Sequence, residues 1–84
     1  MGARFKLPDR LNGLLRTELE RAIFEAALHM DDNLIARRYL VEKRPQIDIA
    51  AELGWERSTV SRRLPDIIAR VEWAALRLSE QSHK

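Results

Sequence analysis

The sequence predicts an all-α protein, a small bundle of four to five helices in one domain spanning residues 1–84. Apolar residues recur at steps of three and four through most of the chain, the period of amphipathic helices. No stretch alternates apolar and polar residues as a half-buried strand does. No repeat, glycine-rich linker or low-complexity run divides the chain. A chain this short buries about 60–65% of its unfolded surface, so added stabilisation from a partner fits its size.

Residues 1–10 read as a loosely ordered basic lead, with Pro8 and Asp9 marking a turn. A first helix is expected from Leu11 or Leu14 to Met30, with Leu15, Leu19, Ala22, Ile23, Ala26 and Met30 as its buried stripe. Asp31, Asp32 and Asn33 break that pattern and offer N-caps for a second helix. Its buried side carries Leu34, Ile35, Tyr39 and Leu40, and it should stop at Lys43 or Arg44, because a residue before proline is pushed out of the helical region. A short third helix is expected from Gln46 to Leu53, with Ile47, Ile49, Ala50 and Leu53 inward and Gly54 as its stop. A fourth starts near Arg57 or Ser58 and turns Val60 and Leu64 inward. Proline inside a helix costs about 3 kcal/mol, yet proline followed by an acid is a good helix opening. The pair Pro65-Asp66 therefore predicts a break or kink, then a last helix over residues 65–80.

Composition excludes several classes of function. The chain has no cysteine, which removes disulfides, thiolate metal sites and thiol nucleophiles and fits a reducing cytoplasm. No apolar run approaches the roughly 18–20 residues of a membrane span, so a soluble, cytoplasmic protein without a membrane partner is expected. His29, expected at a helix C-terminus, and His83 have no partners at metal-ligand spacing. Nothing resembles a catalytic triad, a phosphate loop or a metal-binding helix. No enzyme activity, catalytic residue, cofactor or metal is expected.

Fifteen basic residues face thirteen acidic ones, but unevenly. Acids dominate between Arg16 and Asp32, and bases between Arg37 and Arg44. Residues 57–63 hold three arginines and no acid. Such segregation lets one face meet phosphates while another stays in solvent. Arginine outnumbers lysine twelve to three, and its planar fork suits phosphates and guanine edges.

The informative stretch lies over residues 46–64. Ala50 is small where two helices would cross, and Gly54 stands where the chain must turn left-handed. Val60 is the apolar plug of the next helix, and Leu53 and Leu64 close the same small core. Between them Arg57, Ser58, Thr59, Ser61, Arg62 and Arg63 are polar, as the start of a helix entering a major groove must be. This is the pattern of a helix-turn-helix, with residues 11–45 as supporting helices.

The run Ile49-Ala50, Leu53-Gly54, Thr59-Val60, Arg63-Leu64 resembles the helix-turn-helix of region four of bacterial sigma factors. Ala36-Arg37-Arg38-Tyr39-Leu40 is similar to a segment of the helix that precedes it there. The resemblance covers residues 34–64. It implies that Arg57, Ser58, Ser61 and Arg62 meet base edges, that Thr59 and Arg63 touch the DNA backbone, and that Gln46 holds a phosphate. Glu56 stands where a serine or threonine usually caps the recognition helix, and Trp55 where a small aliphatic usually follows the glycine.

The expected function is sequence-specific binding of double-stranded DNA by a small transcriptional regulator. The alternatives are a protein-interaction module that binds RNA polymerase or a sigma factor, or the DNA-recognition part of a phage packaging or recombination assembly. Leu64, Ile68, Val71, Ala75 and Leu78 follow steps of four and three, the spacing of a coiled-coil seam, and Ile67, Trp73, Ala74 and Leu76 broaden the apolar surface beyond it. One face is expected to cover the helix-turn-helix core and the remainder to pair in a homodimer through the C-terminal helix. Arg37, Arg38 and Arg44 are weaker candidates for phosphate contact. Trp55 and Trp73 are read as packing residues.

Overall fold

The computed structural model describes residues 9–82, so most of the basic lead, Pro8 included, and His83 lie outside the described residues. Those described form a small all-α bundle with no strand. Helix α1 is a single turn, Asp9–Asn12, and α2 spans Arg16–Glu25. Helix α3 spans Met30–Ala36 and runs on into a five-residue π-helical segment, Arg37–Val41. Helix α4 spans Gln46–Leu53, and α5 spans Arg57–Ser82. At about 1.5 Å per residue α5 is about 39 Å long, close to the 44 Å long axis of the molecule. The other helices pack along one side of it, α2 and α4 most extensively.

The single helix expected between Leu11 and Met30 is instead two pieces. Leu11 is buried in the core from α1, and the backbone then turns. Helix α2 restarts at Arg16, where the Glu18 carboxylate accepts the Leu15 backbone N–H at 2.8 Å. It ends early because Ala27 adopts a left-handed conformation, φ 53°, and its N–H bonds the Phe24 carbonyl at 3.1 Å. Leu28 then folds back against the core. Leu19, Ala22 and Ile23 are buried as expected, but Leu15 lies outside the core and Met30 is 86% exposed.

The second helix also differs at its ends. His29 is the N-cap of α3, not the C-terminal residue expected of it, and Asp31 and Asp32 sit in the first turn rather than capping it. Their charges favour the positive end of the helix dipole there. Ile35 and Leu40 are fully buried. The π-helical segment closes with the Glu42 N–H bonded to the Arg37 carbonyl at 3.0 Å, and Lys43 turns left-handed at φ 61°. The helix thus stops at Val41, short of the Lys43 or Arg44 expected, and the chain turns at left-handed Lys43 before it reaches Pro45.

Helix α4 has the expected bounds, and Gly54 ends it at φ 73°. Its inward residues are Ile49 and Ala50, with Leu53 packed at the margin. Ile47, expected inside, is 62% exposed.

Helix α5 does not break at Pro65. The proline removes one backbone donor and costs about 3 kcal/mol. Burial of Leu64, Ile67, Ile68 and Val71 on both sides of it stabilises by about 1.5–3 kcal/mol per residue, so packing outweighs the local penalty. The same burial assigns the coiled-coil-spaced row to the chain's own core. Leu64, Ile68, Val71 and Ala75 are all buried within the chain's own core, and Leu78 is packed against it. Trp73, expected to pack, is 64% exposed on the opposite face.

A candidate nucleic-acid interface

Among the described residues no buried side chain is polar or charged, so chemistry is confined to the surface. No group of three or more His, Asp or Glu side chains lies close enough to hold a metal ion among them.

Helices α4 and α5 meet across a three-residue turn, Gly54-Trp55-Glu56. The turn is fixed by backbone bonds: the Trp55 N–H donates to the Ala50 carbonyl at 2.9 Å, and the Gly54 N–H to the Ala51 carbonyl at 3.2 Å. Glu56 opens α5 through its carbonyl, which accepts the Thr59 N–H at 3.0 Å. Ala50 is buried against α5, and Val60 and Leu64 are buried from the other side. These anchors fix the rotation of α5, which leaves Arg57, Ser58, Ser61 and Arg62 exposed together at its first two turns. Thr59 is half-buried.

The sequence-predicted residues then separate by what they already touch. Arg57 and Arg62 have no ion-pair or hydrogen-bond partner among the described residues, so both guanidinium groups are unspent. The Ser61 hydroxyl donates to the Gln46 side-chain oxygen at 2.7 Å. That bond ties the first residue of α4 to α5 and leaves the Gln46 amide NH2 with both protons to donate. Gln46 and Ser61 thus lie together with the two free arginines' helix turn.

Arg63 is engaged inside the protein. Its Nε is 3.0 Å from Asp32 Oδ1, and its guanidinium lies 5.2 Å from the Trp55 ring centroid. This arrangement joins α5, the turn and α3 through one side chain. It also accounts for an aromatic residue after Gly54, because a small aliphatic offers no face to a cation. The link spans 31 positions of sequence and has no signature in spacing.

The basic segment over residues 37–44 is largely neutralised. Arg38 makes a two-pronged contact with Glu52, both prongs at 3.0 Å, and a third bond to Glu42 at 2.6 Å. Hydrogen bonding to Arg38 holds the Glu52 carboxyl below its ordinary range, and the same bond raises the Arg38 pKa. Arg44 pairs with Glu42 at 3.0 Å, and Arg37 stands 3.9 Å from Glu20. Arg38 therefore serves to brace α4 against the π-helical segment.

One set of surface residues was missed by the sequence reading. Asp66, Arg70, Trp73 and Arg77 are exposed and follow steps of four, three and four on α5. The signal was available on a helical projection, where Trp73 lies nearly opposite the buried row.

Comparisons with protein-family models, with curated proteins and with solved structures give no match to this chain. None of the described helices is long and apolar enough to cross a membrane.

Proposed function

We propose that the chain binds double-stranded DNA, with α4, the 54–56 turn and the start of α5 acting as a helix-turn-helix. It works as a non-enzymatic transcriptional regulator of the kind that the sigma region-four resemblance implies. One observation carries the reading. At the first two turns of α5 the arginines that face solvent, Arg57 and Arg62, are unpaired, while the arginines that brace the fold, Arg38 and Arg63, are paired with acids.

In this mechanism α4 crosses the sugar–phosphate backbone, and the Gln46 NH2, held by Ser61, donates to a phosphate. The first two turns of α5 enter the major groove. There the forks of Arg57 and Arg62 are available to guanine O6 and N7, and the Ser58 hydroxyl to either edge type. Thr59, half-buried beside them, faces the backbone. Arg63 contributes by holding the turn, and its remaining exposed N–H groups can add a phosphate contact.

The test is selection from a randomised duplex pool at moderate salt, followed by sequencing of the retained DNA. An enriched motif is expected. Replacing Arg62 with Ala should then relax preference at one base pair and weaken binding by about 1–3 kcal/mol. Affinity should fall as salt rises, because phosphate contacts release counterions. No retention at low salt would sink the proposal and favour a protein-interaction module whose partner is a polymerase or a sigma factor.

A further inference from the structure

We infer that the outer face of α5 docks a second copy of this chain, antiparallel, along Asp66, Arg70, Trp73 and Arg77. This is not the Leu64–Leu78 seam, which the chain's own core occupies. It is a separate row on the side of the helix that faces away from the bundle.

The occupant follows from the order of charges along the row: acid, base, tryptophan, base. Turned end over end about a point midway between Arg70 and Trp73, the row meets its own complement. Asp66 of each copy falls opposite Arg77 of the other, and Arg70 falls opposite Trp73. Two ion pairs and two guanidinium–indole contacts result from these four residues of each copy. A two-fold interface must be self-complementary in this way. Trp73 is 64% exposed and carries a large apolar surface that such contacts would cover. Ala69, also exposed in this region, leaves room for a helix to approach. The existing Asp66–Arg70 pair at 3.0 Å lies within one exposed helix face and does not compete strongly, since such pairs contribute little.

The geometry also suits the DNA reading, on which this one step rests. With about 3.6 residues per turn, the buried row, the Arg57–Arg62 face and the docking row project about 120° apart. The two-fold axis of an antiparallel pair runs perpendicular to both helices, so both DNA-facing surfaces look to the same side. At about 1.5 Å per residue the centres of the two 57–62 segments lie about 36 Å apart. Half-sites one helical turn apart need about 34–36 Å.

The experiment is sedimentation equilibrium of the full chain, without DNA, over a concentration series up to the solubility limit. The mass should rise from 9.8 kDa toward twice that value. Trp73→Ala should weaken association about tenfold or more, equivalent to 1.4 kcal/mol. Asp66→Arg and Arg77→Asp should each weaken it similarly. The double variant, which re-creates both pairs with reversed sign, should restore association. Circular dichroism of each variant reports whether the fold is kept, and rescue by the double variant cannot come from misfolding. A constant mass of 9.8 kDa, or association indifferent to all three substitutions, would overturn the inference. A dimer that fails to retain DNA supports this interface and removes only the DNA reading.

Discussion

Two left-handed residues of opposite chemistry allow a sharp test of the helix boundaries. Gly54 ends α4 at φ 73°, and a Cβ built there meets nothing within 4 Å. Steric contact with neighbours therefore adds nothing to the cost of Gly54→Ala. What remains is the left-handed penalty of an L-residue, about 1–2 kcal/mol, reduced by the smaller entropy of the unfolded alanine chain, about 0.4–1 kcal/mol. A net loss of about 1 kcal/mol is expected, which lowers Tm by about 4–8 °C in a domain of this size. Ala27, at φ 53°, is the reverse case. Ala27→Gly should raise stability by about 0.5–1 kcal/mol. Urea titration followed by circular dichroism measures both. A loss above about 3 kcal/mol at Gly54 would reveal tight packing that the open surroundings deny, outside what the backbone term supplies. Destabilisation by Ala27→Gly would refute the division of the N-terminal segment, because glycine in a continuous helix costs about 1 kcal/mol relative to alanine.

Two further substitutions probe α5. Pro65→Ala restores the donor to the Ser61 carbonyl and removes the ring from the preceding turn. Set against the unfolded-state entropy that proline removes, about 0.4–1 kcal/mol, thermal unfolding should show a gain of about 2–2.5 kcal/mol, and a loss would mean the proline is needed where it stands. Arg63→Ala removes both the Asp32 pair and the Trp55 stack, each partly exposed, for a combined loss of about 1–1.5 kcal/mol. Arg63→Lys should recover only part of it, since an ammonium lacks the planar fork, and full recovery in the same melts would show that charge alone matters.

Much of the site was legible because its parts are local. Gln46, Gly54, Val60 and Leu64 each answer a rule that acts within a few residues: helix start, left-handed stop, and inward spacing on the next helix. The structure follows all four. The N-terminal half was less legible because its decisive residues are chemically ordinary. Nothing marks Ala27 as left-handed, since alanine is the best helix former, and tertiary packing of Leu28 imposes the turn. The π-helical segment over Arg37–Val41 is likewise set by how far α3 must rotate to bury both Ile35 and Leu40. Pro65 misled in the other direction: the local rule is real, but four buried neighbours outweigh it. Pairing of side chains across long separations, Arg63 with Asp32 and Arg38 with Glu52, has no periodic trace at all.

On the proposed reading α5 serves three purposes in one uninterrupted helix. A recognition helix that only touched DNA could be short, ending where Pro65 offers to end it. Helix α5 continues for seventeen residues beyond Pro65. Its inner row, from Val60 to Ala75, then carries the bundle, so the orientation of Arg57 and Arg62 is set by the whole core rather than by one turn. Local clamps refine it: Ser61 to Gln46 on one flank, and Arg63 to Trp55 and Asp32 on the other. The outer row from Asp66 to Arg77 lies on the same rigid rod. Contacts made there by a second copy would fix the distance between two recognition segments through helix geometry alone. A break at Pro65 would uncouple the two ends, and the copies would then read half-sites of variable spacing. Continuity through Pro65 is thus the feature on which the proposed spacing depends, even though it runs against the local preference of that residue.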